Sequence, residues 1–226
     1  MRLATPSDVL TVNAIINDPA VRPYLDKGEH YLDATGLTEK MMIFFNKAGV
    51  ILVESMGDGE YLGLSAILPE GRGLPSVIAH RRILDTLFFE YDAFKVFGTI
   101  EQNNKRSIRH ILAMGFSFFD SGCGRIHADI DYTKWALRST ACLDAGRPFV
   151  DLLQRPLFES EMRMLGAFVL TVQRSRGKYT GKAFKLFNRF AKLSHLEFIF
   201  PLSEAWDEFE YAGKKFKITH NGIMED

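Results

Sequence analysis

Apolar and polar positions over the first 20 residues predict a short strand followed by an amphipathic helix. The strand candidate is Arg2–Ala4. Thr5 and Asp8 have the spacing of an N-terminal capping box, in which each residue satisfies a backbone N–H group of the other. The helix is expected to end before Pro19, because proline disfavours a helical conformation for the residue that precedes it. Residues 21–37 are predicted to be irregular.

Short runs of β-forming residues separated by glycine turns then predict an antiparallel meander. The strand candidates are Met41–Asn46, Val50–Glu54 and Tyr61–Leu68. Helical spacing follows at Val77, Leu84 and Leu87, and His80, Arg81 and Asp85 are expected on the opposite, polar face. Four further elements are predicted in this part of the chain: a strand over Phe94–Ile100, a basic helix from Asn103 and Asn104 through Met114, a strand to Phe119, and a last strand over Gly124–Leu137.

The composition changes near Ser139, which predicts two domains, 1–138 and 139–226. In the second domain, residues 147–193 favour helices and residues 196–218 favour two or three strands with a turn at Ala212 and Gly213. The stretch Ser139–Pro148 lacks the Gly/Ser or Pro richness of a flexible linker. We therefore expect the second domain to pack against the first or against another copy of the chain.

Composition and charge exclude several classes of protein. The 226 residues include 28 basic and 28 acidic ones, so no net charge attracts the chain to nucleic acid or to a membrane. No apolar run approaches the roughly 20 residues that span a bilayer, and the first ten residues lack the apolar core of a secretion signal. Cys123 and Cys142 form no CxxC pattern, which predicts neither a disulfide framework nor a zinc site. A reducing compartment such as the cytoplasm is expected, with no membrane partner.

The order of elements in residues 1 to about 138 resembles the GNAT superfamily of acyl-CoA N-acyltransferases. Arg72 and Gly73, before the central helix, resemble the family's pyrophosphate loop, although Leu74 and Pro75 stand where the family has further glycines. The segment from Asn104 to Gly115 and Phe116 resembles its Asn-to-Gly-Phe helix. The resemblance implies an α+β fold with a mixed, mostly antiparallel sheet flanked by helices. It also implies that acetyl-CoA is the cofactor and that Arg72, Gly73 and Asn104 contact it.

Two segments, Val12–Pro19 and Leu68–Gly73, more narrowly resemble GNAT-like proteins of tailed bacteriophages, some of which are internal virion proteins. This resemblance implies a phage-encoded protein, located in the host cytoplasm or in the virion. The leading function, which the GNAT resemblance implies, is transfer of an acetyl group from a CoA thioester to an amine of unknown identity. The alternative is a catalytically inactive GNAT-fold virion or host-interaction protein with a protein partner.

Acetyl transfer needs a base for the amine and an acid for the leaving thiolate. In many GNAT enzymes the acid is a tyrosine four residues before the Gly-Phe pair, and Ile111 stands at that position; the adjacent His110 is expected to face solvent. Tyr61, Ser65 and Glu70 are candidate polar residues on or near the fourth strand. His127, Asp129 and Asp131 alternate along the last strand, where they could hold a cationic acceptor or a metal, or simply form a solvated strand face.

A basic helical stripe is predicted in the second domain. Residues 162–196 contain eight basic residues and no acidic one. The stripe, at spacings of three and four, consists of Lys182, Lys185, Arg189 and Lys192. Such a stripe suits the phosphates of nucleic acid or another polyanion. Pairing with the acidic run Glu204, Asp207, Glu208 and Glu210, or plain solvation, is the alternative.

Overall fold

A computed structural model of the protein describes most of the first 175 residues and the strands that follow. The described residues are 1–26, 30–36, 41–120, 122, 124–148, 157–175, 198–199, 208–211, 214–219 and 222–225. They fall into two compact units, one formed by 1–84 and 93–131 and the other by 85–92 and 132–226. The domain boundary expected at residue 138 stays a prediction.

The chain begins with strand β1 (Arg2–Leu3), a 3-10 turn (Pro6–Asp8) and helix α1 (Val9–Ile16). The predicted capping box is confirmed, since the Thr5 backbone N–H donates to Asp8 Oδ2 at 2.9 Å. The Arg2 guanidinium also donates to both carboxylate oxygens of Asp8, at 2.7 and 2.8 Å. These hydrogen bonds lower the pKa of Asp8 well below its usual range. A second short helix, α2 (Pro23–Asp26), lies in the segment that was expected to be irregular.

Seven strands of the first unit form one sheet, whose order is β1-β2-β3-β4-β5-β7-β6. The predicted meander is confirmed as β2 (Met41–Asn46), β3 (Gly49–Gly57) and β4 (Glu60–Ile67). A 3-10 turn (Pro69–Gly71) then leads to helix α3 (Leu74–Glu90). The remaining elements are β5 (Lys95–Glu101), α4 (Lys105–Met114), β6 (Ser117–Asp120) and β7 (Arg125–Asp131). Every strand pair in this sheet is antiparallel except β4 with β5, which confirms the predicted fold class.

Helix α1 covers one face of the first three long strands. Its apolar side chains at Val12, Ile15 and Ile16 are buried, as their helical spacing predicts. They belong to one hydrophobic cluster with alternate residues of β2, β3 and β4, namely Ile43, Phe45, Val50, Leu52 and Ala66. On the opposite face of the same strands Phe44, Ile51 and Val53 are also buried. This burial on both faces explains why β2 and β3 are almost continuously apolar.

The last predicted strand is too long. β7 ends at Asp131, and Tyr132–Ala136 forms helix α5. Tyr132 is buried, and so are Trp135 and Ala136, which follow it by three and four residues and therefore lie on the same helix face. The alternation that predicts a strand therefore holds only up to Asp131.

The second unit contains two helices that touch through their backbones. They are α6 (Thr140–Gly146), which Ser139 caps, and α7 (Glu159–Ser175). A Cβ atom on Gly166 would overlap the carbonyl of Cys142, and one on Gly146 would overlap the carbonyl of Met162. The stretch that was expected to be a connecting segment is thus largely a helix, and the two glycines allow its close packing.

Several polar groups among the described residues of this unit are paired. Asp85 accepts hydrogen bonds from Trp135 Nε1 at 2.9 Å and from Ser139 Oγ at 2.7 Å. Arg163 donates to the Ser139 carbonyl at 2.6 Å, and the Trp135 ring stacks near Phe88. Burial raises the pKa of Tyr132, whose hydroxyl lies 2.6 Å from Thr171 Oγ1.

A four-stranded antiparallel sheet lies at the end of the second unit. Its strands, in the order β11-β10-β9-β8, are β8 (Phe198–Ile199), β9 (Glu208–Tyr211), β10 (Lys214–Thr219) and β11 (Gly222–Glu225). The predicted strands near residues 196–218 are confirmed, and β11 adds one more.

Candidate functional site

The parallel strands β4 and β5 pair over only three positions. Glu60, Tyr61 and Leu62 lie opposite Lys95, Val96 and Phe97, and the pairing then stops. Beyond this point β4 continues to pair with β3 as far as Ile67, and β5 continues to pair with β7 as far as Glu101. Residues 63–67 and 98–101 are therefore the inner edges of β4 and β5 that do not pair with each other. We call this arrangement the fork.

Two glycines lie where the fork begins. A Cβ atom on Gly98 would come within 2.8 Å of the Gly63 carbonyl oxygen, closer than a side chain tolerates. Both glycines follow directly on the last paired positions. The strands are thus in close backbone contact at the base of the fork, and they no longer pair beyond it.

Each arm of the fork leads into a helix. β4 continues through the 3-10 turn into α3, and β5 continues into α4. Crossover connections of this kind are almost always right-handed, and both cross the sheet in the same direction, so α3 and α4 lie on the same face. Both helices begin at the carboxyl ends of parallel strands, the usual ligand-binding edge of such a sheet.

The first turn of α3 offers few backbone donors. Gly73 is exposed with φ +86°, and its carbonyl accepts the first helical hydrogen bond, from Val77 at 3.2 Å. The N–H groups of Leu74 and Ser76 come before this first bond and so have no carbonyl acceptor within the helix. Pro75, between them, has no N–H. The positive φ favours glycine at position 73 whether or not a ligand binds there.

Arg72 forms hydrogen bonds within the protein. Its guanidinium donates to the Ile67 carbonyl at 3.2 Å and to the Ala20 carbonyl at 3.0 Å. It therefore ties the end of β4 to the segment after α1. Gly71 lies so close to the β2–β3 hairpin that a Cβ atom would be 2.6 Å from the Ala48 carbonyl. The predicted contact of Arg72 and Gly73 with a cofactor stays a prediction.

Asn104 caps α4. Its Oδ1 accepts from the Ser107 backbone N–H at 3.1 Å. At the other end of the helix, Gly115 adopts a left-handed conformation with φ 91°, and the Phe116 N–H donates to the Ile111 carbonyl. These contacts explain the Asn-to-Gly-Phe pattern by local helix geometry, and the cofactor contact of Asn104 stays a prediction.

Two histidines that the sequence places on polar surfaces meet between α3 and α4. His80 is only 8% exposed, and its ring lies edge-to-face on that of His110 with centroids 4.6 Å apart. His110 Nε2 is 3.3 Å from His80 Nδ1. The expectations that His80 lies on the polar face and that His110 faces solvent are both wrong. His80 shares its helix face with the buried Ile83, Leu84 and Leu87, so its spacing of three, four and seven from them was the available signal.

The His80 ring is held in one tautomer. Its Nδ1 lies 2.8 Å from the Ser76 carbonyl, which only accepts, so Nδ1 carries the proton. Burial, together with the nearby His110, lowers the pKa of His80 to about 4. His80 Nε2 is buried and has no hydrogen-bond partner among the described residues. Burial also lowers the pKa of His110, so both rings are neutral near pH 7.

The two candidate polar residues on β4 differ in exposure. Tyr61 is buried opposite Ser55 and Val96, at the base of the fork. Ser65 is exposed on the part of β4 that no longer pairs with β5. Both stay predictions as catalytic groups.

The polar face of β7 lies opposite charged and aromatic residues of β5. His127 pairs with Thr99 and stacks on the Phe97 ring, with centroids 5.6 Å apart, and Asp129 pairs with Phe97. Lys95, opposite Asp131, forms an ion pair with Glu60 at 2.8 Å. The hydrogen bond to Glu60, and then the charge of Asp129, raise the pKa of Lys95. His127 and Asp129 are half-buried in this mixed-charge face, and their catalytic role stays a prediction.

Several expectations concern parts of the chain that are not described. Lys182, Lys185, Arg189 and Lys192 lie outside the described residues, so the polyanion contact stays a prediction. Of the acidic run, Glu208 and Glu210 lie opposite Lys217 and Lys215 in the second sheet. Within the described ranges there is no group of three or more His, Cys, Asp or Glu residues able to hold a metal ion. The same part of the chain contains no helix that is long and apolar enough to cross a membrane.

No protein-family model matches the sequence, and no curated protein sequence matches it. Solved structures do match. A variant of the spermidine N-acetyltransferase of Vibrio cholerae superposes with a TM-score of 0.50 at 17% identity, covering 61% of this chain and 96% of the other. The fold is that of the GNAT acetyltransferases.

Two further GNAT structures give similar superpositions. The ribosomal-protein-S5-alanine acetyltransferase of Vibrio fischeri has a TM-score of 0.49 at 15% identity, covering 59% of this chain and 93% of the other. The Vibrio cholerae spermidine N-acetyltransferase in complex with CoA and spermine has a TM-score of 0.49 at 15% identity, covering 59% and 95%.

Proposed function

We propose that the protein is an N-acyltransferase that transfers an acetyl group from acetyl-CoA to an amine. The observation that carries this proposal is the fork between β4 and β5, which opens onto the first turns of α3 and α4 within a GNAT fold. Phage origin and location in host cytoplasm or virion remain predictions of the family resemblance.

The fork suits an extended arm that carries amide groups. Its two inner edges, 63–67 and 98–101, do not pair with each other, so an arm lying between them can add to the sheet as an extra strand does. The pantetheine part of CoA carries two amides and is of this kind. The first turn of α3, with the N–H groups of Leu74 and Ser76 and its helix dipole, favours the anionic pyrophosphate.

The bound thioester supplies the acyl group, whose carbonyl carbon is attacked by the neutral nitrogen of the acceptor. The new C–N bond forms as the C–S bond breaks, the nitrogen loses a proton and the thiolate gains one. His127 and Asp129 are the candidate groups that hold the acceptor amine and take up its proton. The second carboxylate of that face, Asp131, favours a cationic amine. Ile111 provides no proton for the thiolate.

A thermal-unfolding experiment tests the proposal. Acetyl-CoA at 100 times its dissociation constant is expected to add about 2.7 kcal/mol to the free energy of unfolding. Arg72→Gln is expected to reduce this gain, because Arg72 ties the two segments beside the α3 N-terminus. The matched control is Arg82→Gln, on the exposed face of the same helix.

Release of free CoA thiol with spermidine and other polyamines measures turnover. Ligand stabilisation together with amine-dependent thiol release is the expected result. Stabilisation without thiol release with any amine supports the alternative of a catalytically inactive GNAT-fold protein. No stabilisation at millimolar acetyl-CoA contradicts the proposal.

A further inference from the structure

We propose that His80 of α3, the helix that follows the β4 arm of the fork, is a ligand-binding residue whose Nε2 accepts a hydrogen bond from an amide N–H of the CoA arm. The inference rests on the proposed function and adds a specific contact to it. Nothing in the sequence pattern of the family resemblance points to this residue. The argument has three steps: the chemical form of the ring, the state of Nε2, and its place in the fold.

The protein fixes which nitrogen of His80 is the acceptor. Nδ1 donates to the Ser76 carbonyl at 2.8 Å, one turn earlier on α3. The proton on Nδ1 leaves the Nε2 lone pair as an acceptor. Burial, with the nearby His110, holds the ring neutral at physiological pH by lowering its pKa to about 4. His80 therefore presents a neutral acceptor of defined orientation.

This acceptor lacks a donor within the described residues. His80 is 8% exposed, and its Nε2 is buried with no hydrogen-bond partner there. Buried polar atoms in folded proteins are nearly always paired, so an unpaired one calls for a particular explanation. A ligand that brings an N–H group provides that explanation.

The position of His80 on α3 indicates which part of CoA it meets. It lies six residues after Leu74, the first residue of the helix, which is about 9 Å along the axis at 1.5 Å per residue. If the pyrophosphate lies at the first turn, His80 lies beside the arm rather than beside the phosphates. The contact with His110 puts it between the two helices that leave the fork.

His110 acts as a positioning residue for this acceptor. Its Nε2 lies 3.3 Å from His80 Nδ1, and the edge-to-face contact restricts rotation of the His80 ring. Arg81 donates to the Ala113 carbonyl at 3.3 Å and holds α3 against the end of α4. Besides Arg81, the charged neighbours on these two helices include Arg82, Arg106 and Arg109, all exposed.

Two substitutions separate the nitrogens of His80. In His80→Asn the amide can replace Nδ1 as donor to Ser76 but leaves no acceptor at the Nε2 position. In His80→Gln the longer side chain can place an oxygen near the Nε2 position. Calorimetric titration at pH 7.5 with CoA, and with adenosine 3′,5′-bisphosphate, which lacks the amide arm, then isolates the contact. We expect His80→Asn to weaken CoA binding about tenfold, His80→Gln to stay within about threefold of the original, and bisphosphate binding to stay unchanged.

Each contrary result has a distinct meaning. If the unmodified protein binds CoA and both variants bind it equally well, the inference fails and the proposed function stands. If His80→Asn weakens the bisphosphate as much as CoA, the residue acts through the fold and the inference fails. If the unmodified protein binds no CoA, both fail.

A second measurement covers the case in which His80→Asn does not fold. The ¹⁵N resonance of His80 Nε2 in the unmodified protein is expected to shift when CoA is added, because hydrogen bonding changes the shielding of an imidazole acceptor. The shift is expected to be absent with the bisphosphate. An unchanged Nε2 resonance in a CoA-saturated sample overturns the inference.

Discussion

Two helix pairs in this protein, one in each unit, make contact in opposite ways. α6 and α7 meet backbone to backbone through Gly146 and Gly166, and the nearby Asp85, Trp135 and Ser139 are hydrogen-bonded to one another. α3 and α4 meet through two imidazoles, and one of these has a buried nitrogen with no partner among the described residues. Among the described residues, the polar groups named beside the first pair are hydrogen-bonded within the protein, whereas the second pair contains a buried acceptor without a donor.

The difference indicates what each region does. Close backbone packing and paired polar groups stabilise a fold and leave nothing for a ligand to contact. Beside α3 and α4, by contrast, two strand edges are unpaired with each other, and His80 Nε2 is a buried acceptor without a donor among the described residues. Both features lower the stability of the fold unless a ligand supplies the missing hydrogen bonds. We therefore expect substitutions near α6 and α7 to change stability, and substitutions near the fork to change binding.

The largest expected effect is at Gly166. Gly166→Ala puts a Cβ atom into the Cys142 carbonyl, which is backbone and cannot move aside cheaply. We expect the free energy of unfolding to fall by about 4 kcal/mol, measured by denaturant titration. Gly36→Ala is the matched control, because a Cβ atom there has no neighbour within 4 Å. Equal stability of the two variants would contradict the close packing of α6 and α7.

The next effect concerns acid sensitivity at the fork. The unfolded chain protonates His80 near its ordinary pKa of 6.5, whereas the folded protein resists until its lowered pKa of about 4. The stability that neutral His80 contributes is therefore fully present above about pH 6.5. As the pH falls towards 4, the free energy of unfolding should decrease by about 3 kcal/mol. Because carboxylates titrate in the same range, the measurement is the difference in pH dependence between the unmodified protein and His80→Phe. Identical profiles would show that His80 is not held neutral.

A smaller effect is expected at Asp85. Asp85→Ala removes the acceptor of Trp135 Nε1 and Ser139 Oγ and leaves two donors without it. We expect a loss of about 2 kcal/mol in thermal or denaturant unfolding. CoA affinity should be unchanged under conditions in which the variant is fully folded. Arg82→Ala, at an exposed position of the same helix, should change the free energy of unfolding very little. A loss of CoA affinity in folded Asp85→Ala would contradict the expectation that this region affects stability and not binding.

The sequence predicts the elements whose signals are local. The Thr5–Asp8 capping box, the meander of β2 to β4 and the caps of α4 each depend on residues a few positions apart. The errors arise where the outcome depends on distant partners. The last strand is predicted to run to Leu137, yet the chain becomes helical at Tyr132, where Tyr132, Trp135 and Ala136 are buried. The meeting of His80 and His110, 30 residues apart, depends on how two helices pack, which neither helical pattern encodes.

Amide hydrogen exchange with and without CoA tests the central claim most directly, because it reads both regions in one sample. If the fork takes the CoA arm, exchange in residues 63–67 and 98–101 should slow when CoA is added, since their unpaired inner edges gain hydrogen bonds. Exchange in Glu159–Ser175 should stay the same beyond any global gain in stability. Slower exchange confined to the second unit, or no change at saturating CoA, would contradict the assignment of the fork as the cofactor site.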